Sequence, residues 1–487
     1  MRLTELPYAE DSAQLFAVLA RHPWAMFLDS ARPGCAQGRW DILVADPSTT
    51  LVTRGASTEI CHGNRCRRSE DDPFALLRTA LGEHTAPPAG LPFAGGAVGW
   101  FGYDLARRIE RLPALAKDAE HLPEMAIGIF DWALLVDHAE QRSWLVDAER
   151  DARNRARWPQ LLEQFSAALS RSAIQQPGKA AASLAADRGA ASPVDLGLAA
   201  TPASSPLQAI TALRSNLSAA EYAATFARIQ AYIRAGDCYQ VNLAQRFTAR
   251  AAGDPWAAYQ RLRQLNPAPF SAYLKTPFGQ VLSSSPERFL ALRNGRVETR
   301  PIKGTRPRSP DPDEDAALKR ALAESPKDRA ENLMIVDLLR NDLGRVCRPG
   351  SIQVPSLFAI ESYASVHHLV STITGELRAD EDASSLLRAC FPGGSITGAP
   401  KIRAMQIIEA LEPHRRGLYC GAIGYLGFDG AMDTNIAIRT IVHSAGQVRF
   451  WSGGGLVHDS DCEQEYRETF DKAARLIELI APEPAHL

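Results

Sequence analysis

A lysine followed by glycine is the most reactive-looking feature of this chain. Lys303 lies in Pro301-Ile302-Lys303-Gly304-Thr305-Arg306-Pro307-Arg308, just after a strand-like run from Arg296 to Thr299. A primary amine at a strand exit, with no side chain on the next residue, can lie against a ligand. Arg300, Arg306 and Arg308 are close in sequence. Like charges disfavour the ammonium form, release the nucleophilic amine and attract an anionic substrate. The plain alternative is a surface lysine in a basic loop.

Carboxylates supply the complementary chemistry. Glu331 falls on a helix-like run, Glu331 to Asp342, that is apolar nearly all round and shares the face of Ile335 and Leu338. A carboxylate on a buried face needs a cation or donors. An arginine such as Arg329 could serve, and so could a metal ion. Glu465 and Glu468, at i and i+3, point the same way. Together with Glu331 they would suit a hard cation such as Mg²⁺, although a solvated acidic face explains them equally well. Glu287, in Ser285-Pro286-Glu287-Arg288-Phe289, heads a strand and is placed for general acid work.

Anion-binding features stand beside these acids. Gly453-Gly454-Gly455 could form a nest of backbone N–H groups or a plain flexible turn. The loop Pro392 to Pro400 resembles a phosphate loop at a helix N-terminus, but it lacks a Gly-Lys-Ser/Thr ending. Arg439, inside an apolar strand pattern, is placed as a carboxylate clamp. His367 and His368 could be ligands or hydrogen-bonding core residues.

These groups need a scaffold. A chain of 487 residues exceeds one ordinary core, so two or more lobes are expected. Apolar residues make up 45% and charged residues 23%, as in a soluble globular protein. The formal charge of -2 gives no reason to expect nucleic acid as a partner. No apolar run reaches membrane-spanning length, and the start lacks a targeting pattern, so a cytoplasmic location and no membrane partner are expected. Eight cysteines without metal spacing predict reduced, mostly buried thiols; only Cys61 and Cys66 are close together.

Buried strands are predicted at Trp24 to Ser30 and Trp40 to Ala45, a Gly- and aromatic-rich turn at Gly95 to Tyr103, and an apolar run at Met125 to Val136. Ser218 and Glu221 have capping-box spacing and open a helix that Gly236 stops. Ser325-Pro326 opens another helix, Lys401 to Leu411 forms a third, and a last runs from about Asp461 to Ile480. Ser170 to Pro206, rich in Ala, Ser, Gly and Pro, reads as a loose linker.

Eight ordered motifs then resemble one family, the chorismate-binding enzymes: anthranilate synthase component I, aminodeoxychorismate synthase component I, isochorismate synthase and salicylate synthase. They are GDCYQVNLAQRF, SPERF, RPIKGTRPR, AENLMIVDLLRNDLGR, VHHLVSTI, FPGGSITGAPK, MDTNIAIRT and WSGGG with DCEQEYRETFDKA, spread densely over residues 220 to 475. HPWAMFLDS, RWDILVADP and GWFGYDLARRIERLP extend the resemblance into the N-terminal part. Anthranilate synthases, the alternative reading, carry Ala in the slot of Lys303. Lysine there is similar to the aminodeoxychorismate synthase branch. Isochorismate and salicylate members place a water-activating Lys where this chain has Gln240.

The resemblance implies an α+β (mixed α/β) fold, a large two-lobed antiparallel-rich β-sandwich with peripheral helices. It implies an N-terminal region at 1–165, a linker or insertion at 166–210 and a catalytic region at 211–487. By matching position, Glu331 and Glu468, with Glu465, would hold Mg²⁺ on the ring carboxylate of chorismate. Tyr419, Arg439 and the amides of Gly453, Gly454 and Gly455 would hold the enolpyruvyl carboxylate. Gly304 and Thr305 would line the ring, with Gln240 and His368 completing the substrate-contacting set. Glu287 would protonate the departing C4 hydroxyl, Lys303 would attack C2, and ammonia would then attack C4 and expel the lysine. A separate lyase would complete p-aminobenzoate for folate synthesis. No glutaminase motif is present, so the resemblance implies a glutamine amidotransferase partner as the ammonia source. It also places at Ser30, Arg39, Trp40, Pro269, Phe270 and Ser271 the region where family members bind tryptophan.

Overall fold

The computed structural model describes residues 1–35, 38–85, 90–175, 205–363 and 366–481. Two large antiparallel sheets face each other. One, of 13 strands, runs from Arg2–Leu6 through Arg142–Asp147, Trp132–Asp137, Trp40–Val44, Ala25–Asp29, Phe270–Thr276, Gly279–Ser285, Thr440–Ser444 and Gln447–Leu456 to Gln240–Ala252. The other, of 12 strands, runs from Ile302–Pro307 through Val366–Glu376, Arg296–Thr299, Arg288–Arg293, Met432–Ile436, Ala422–Gly427, Gly96–Phe101, Met125–Phe130 and Thr49–Arg54 to the hairpin Ser57–His62 and Arg65–Ser69. This is the antiparallel-rich sandwich expected, and its helices are peripheral.

Some inner strands are apolar on both faces because both faces are covered. In Trp132–Asp137, Trp132, Leu134 and Val136 pack outward with Phe165 and Phe16, while Ala133 and Leu135 pack inward with Val98, Trp100 and Met26. The outer layer on the 12-stranded sheet includes Leu76 and Leu77, Ile335 and Leu339, and Leu386 and Leu387 from three helices.

Several sequence expectations change here. Each of the two sheets takes strands from both halves of the chain, an order the sequence did not predict. The apolar run Met125 to Val136 is two strands, Met125–Phe130 and Trp132–Asp137, on different sheets. Asp131 marks the crossing and accepts from the backbone of Arg150 and Asp151. The predicted turn at Gly95 to Tyr103 is a central strand, Gly96–Phe101. Its glycines serve close approach, because a Cβ on Gly96 would stand 2.3 Å from the carbonyl oxygen of Leu426.

The helix Ala152–Gln175 continues into the stretch read as linker, while residues 176–204 of that stretch lie outside the described residues. The helix Pro326–Gly344 buries one face only; Leu333 and Arg340 are exposed. Cys61 and Cys66 face each other across the hairpin, 4.1 Å apart at Cα, and form a disulfide. Spacing alone did not reveal that register. Cys238, Cys347, Cys390 and Cys420 are buried thiols, and Cys462 is a half-buried one.

The helix signals hold. Ser218 and Glu221 form the capping box of Ala219–Arg234, and Ser325 caps Pro326–Gly344.

A buried ion pair completes the strand Gln240–Ala252. The edge away from Gln447–Leu456 is paired by Gly398–Ala399 at its start and by Arg214–Ser215 and Gln208–Ala209 toward its end. Between them Glu412 accepts from the backbone N–H of Ala244 (3.0 Å) and Arg416 donates to the carbonyl of Asn242 (2.7 Å). The two side chains meet at 2.7 Å, each 1% exposed. Removing one partner strands the other charge in the core. Arg416→Met is therefore expected to lower stability by about 3–5 kcal/mol, read as an earlier midpoint in urea unfolding.

Candidate active site

The chain crosses between the sheets at Pro286-Glu287 and again at Ala437 to Arg439. These two links are tied together: Ile436 N–H donates to the Glu287 carbonyl (3.0 Å) and Ser284 N–H to the Arg439 carbonyl (3.1 Å). A link between sheets cannot ladder along its whole length, so its side chains are free to aim at the seam. Glu287 and Arg439 both do so.

Lys303 reaches the same place from an edge. It lies inside the short strand Ile302–Pro307, not at a strand exit as expected. The register with Val366–Glu376 slips between Ile302 and Thr305, so Lys303 and Gly304 form a bulge. Gly304 has φ +84°, and a Cβ there would stand 2.9 Å from Asp328 and Leu322. Glycine is required for this bulge, which turns the amine inward. Lys303 Nζ donates to the Ser395 carbonyl (3.3 Å), and Ser395 Oγ donates to Glu287 Oε1 (2.8 Å). One serine thus touches both amine and acid.

The electrostatics differ from the expected ones. Arg300, Arg306 and Arg308 pair with Glu361, Asp328 and Asp315, so they do not act on Lys303. Burial holds the Lys303 amine below the usual lysine range and Lys472 adds repulsion, while Glu331, Glu287 and Glu468 oppose them. Burial pushes Glu287 up to about 7, against the Ser395 hydroxyl and the Lys303 charge. An amine biased toward its free base and a carboxyl biased toward its acid form suit a nucleophile beside a general acid.

The carboxylate trio gathers next to them. Burial raises Glu331, with Lys303 and Lys327 pulling it back. Arg329 lies over Phe358 and is not its partner. Burial also raises Glu465, which accepts from Ser460 Oγ (2.7 Å) and has Lys327 at 3.7 Å. Burial works against charged Glu468 too, but Lys472 at 2.7 Å outweighs it and holds Glu468 low. Glu465 is repelled by both other acids. Among the described residues no three such side chains close around one point as a metal set would. The ammonium groups of Lys327 and Lys472 supply positive charge at these carboxylates. The donors of the trio are carboxylate oxygens, the type that hard divalent cations take.

Arg439 is in the left-handed region (φ +48°), and among the described residues its guanidinium has no hydrogen bond or ion pair. Gln240 is fully buried beneath Gly455, and neither amide atom has a partner. His368 Nδ1 bonds Thr305 Oγ1 (2.9 Å), and burial, with Arg439 and His367, pushes its pKa down to about 3, so the ring is neutral. Gly453, Gly454 and Gly455 are not a nest or a turn; they lie within the strand Gln447–Leu456, in register with Asn242 to Ala244. Their contribution is space, since a Cβ on Gly455 would stand 2.9 Å from Gln240. Tyr419 stacks on Trp451.

A separate cavity of about 690 Å³ lies farther along the sandwich. Ser30, Arg39, Trp40, Pro269, Phe270 and Ser271 all line it, with Asp433 and Asn435.

Sequence reasoning missed Ser395, Lys472 and Lys327. Lys472 stands four residues after Glu468 and Lys327 four before Glu331, a spacing that signals charge pairing. Nothing in the sequence marks Ser395 as the residue touching both Glu287 and Lys303.

The family model for chorismate binding enzymes matches residues 27–478, and the chain belongs to that family. It is 48% identical to aminodeoxychorismate synthase component 1 of Salmonella typhimurium, over 97% of this chain and 96% of that one. It is 47% identical to the protein of the same name from Klebsiella aerogenes, over 98% of each chain. Among solved structures, anthranilate synthase component I from Streptococcus pneumoniae TIGR4 superposes with a TM-score of 0.73 at 29% identity, covering 90% of this chain and 92% of that one.

Proposed function

We propose that this chain is the chorismate-aminating component of an aminodeoxychorismate synthase, forming 4-amino-4-deoxychorismate from chorismate and ammonia through a covalent bond to Lys303. The observation that carries this reading is the bridge through Ser395 between an amine and an acid whose environments favour the forms the chemistry needs.

The steps balance. Glu287 gives its proton to the C4 hydroxyl, which departs as water. The Lys303 amine bonds to C2, and the ring double bonds shift toward C4. Ammonia then bonds to C4, the bonds shift back, the lysine leaves C2 as the free amine, and the new C4 ammonium returns a proton to Glu287. Burial of Glu287 and Lys303 limits water as a competitor for C4. Arg439, whose guanidinium has no hydrogen bond or ion pair among the described residues and lies within reach of the Glu287 charge, is the cation for a substrate carboxylate, and Tyr419 is its companion in that role. Gln240 offers its unpartnered amide to the incoming nucleophile's side of the site.

Glu331 and Glu468, with Glu465, are the residues that would hold Mg²⁺. When bound, Mg²⁺ supplies positive charge to the ring carboxylate. Glu468→Gln is expected to weaken Mg²⁺ binding about tenfold or more, measured by titration calorimetry on the protein without substrate. Unchanged binding would remove Glu468 from the set.

Ammonia comes in this reading from a glutamine amidotransferase subunit, in a cytoplasmic setting. The 690 Å³ cavity is the candidate tryptophan pocket. The structural similarity to an anthranilate synthase keeps one rival in view. Incubation with chorismate, Mg²⁺ and ammonium separates them: aminodeoxychorismate is expected, and anthranilate formed without a lyase would reject the assignment.

A further inference from the structure

Behind Tyr419 the structure builds a stack that the steps above leave unused. The Trp451 ring lies nearly parallel to Tyr419 (5.8 Å between centroids, 10° between planes). On Trp451 also rests the Arg246 guanidinium, 5.8 Å from the ring centroid. The strand register sets Arg246 directly opposite Trp451, so both point into the space between the sheets. Arg246 is 8% exposed, and its Nε and Nη1 have no hydrogen-bond partner among the described residues.

The clip on this stack comes from the N-terminal half. Glu120 Oε1 accepts from the Trp451 indole N–H (3.4 Å). Its segment is strapped down where Lys117 N–H donates to the Pro413 carbonyl (3.1 Å) and Arg415 N–H to the Lys117 carbonyl (3.0 Å). Gly417, with φ +59°, makes room, since a Cβ there would stand 3.0 Å from Glu120 Oε2.

After Trp451 the inward positions of that strand are Gly453 and Gly455, which offer no side chain to stop the indole from swinging. Among the described residues the indole N–H makes one hydrogen bond, to Glu120, a directional contact added to the Tyr419 and Arg246 ring contacts. Parallel stacking depends on the rotation of the indole.

We propose that Glu120 is a positioning residue for chorismate: by fixing Trp451 it holds the Tyr419 ring in place for a substrate carboxylate. This rests on the placement of Tyr419 in the substrate site, not on which product is made. It adds to the site a residue from outside the motif-dense C-terminal region.

The test is steady-state kinetics of the full chain at saturating ammonium and Mg²⁺, with chorismate varied. Glu120→Ala is expected to raise the chorismate KM about tenfold with kcat within about twofold, the signature of lost ground-state binding. Glu120→Gln, whose amide oxygen still accepts from the indole, is expected to stay within about threefold of the parent KM. Trp451→Phe, which keeps a ring but loses the N–H, is expected to match Glu120→Ala. The double variant Glu120→Ala with Trp451→Phe is expected to be no worse than either single, because both break the same contact.

An unchanged KM in Glu120→Ala, or full additivity in the double variant, would overturn the proposal. If Glu120→Ala does not fold, Glu120→Gln and Trp451→Phe decide it: equal KM values in the two would overturn it. A parent enzyme yielding anthranilate would overturn the function proposed above, while the chorismate KM comparison would still judge Glu120.

Discussion

Lys303→Ala is expected to lower aminodeoxychorismate formation by about a thousandfold or more, because it deletes the group that bonds to C2. Lys303 is half-buried, and among the described residues its side chain makes one hydrogen bond, to the Ser395 carbonyl, so the fold should tolerate the change. The direct test is intact-protein mass spectrometry with chorismate and Mg²⁺ in the absence of ammonia. The parent chain should gain the mass of chorismate less one water, mapping to Lys303 by peptide analysis. The alanine variant should gain nothing. Full synthesis by that variant would show that the amine is not the nucleophile.

Glu287→Gln should be nearly as damaging, lowering kcat by about 10²–10⁴-fold, since the amide cannot deliver a proton to the leaving hydroxyl. The pH dependence gives the sharper signature. Glu287 is acid below about 7 and loses its proton above it. Lys303 needs the opposite trend, because its free amine grows as pH rises. The parent kcat should therefore be bell-shaped, with an alkaline limb near pH 7. The residual rate of Glu287→Gln should lack that limb. Stability follows the same proton. A folded-state value above the ordinary 4.5 means the native chain binds more protons than the unfolded one between 4.5 and about 7. Native stability is thus lost as pH rises through that window, and Glu287→Gln should flatten this contribution. Urea midpoints measured from pH 5 to 8 would check it.

Local chemistry was legible in the sequence and long-range geometry was not. Ser218 with Glu221, and Ser325 with Pro326, mark helix starts because a cap is settled within one turn. The motifs carrying Lys303, Glu287, Glu331 and Glu468 named groups that do converge. The source of the Lys303 shift was misread: neighbours in sequence, Arg300, Arg306 and Arg308, are each neutralised by acids brought in by the fold, while Lys472, distant in sequence, acts on the amine. The glycines at 453–455 illustrate a second limit. A missing side chain signals freedom or closeness, and only the partner strand shows that closeness to Gln240 is the reason. Strand order was out of reach because antiparallel pairing across hundreds of residues leaves no local mark. The run Met125 to Val136 has one hydrophobic pattern for two strands on opposite sheets.

The shuttling of strands between the two sheets has a consequence for fragments of the chain. A gene fragment encoding only the first third of this chain would specify five strands of one layer and five of the other, each with apolar faces left bare. Such a product is expected to fold poorly on its own, because each layer is completed by strands from the rest of the chain.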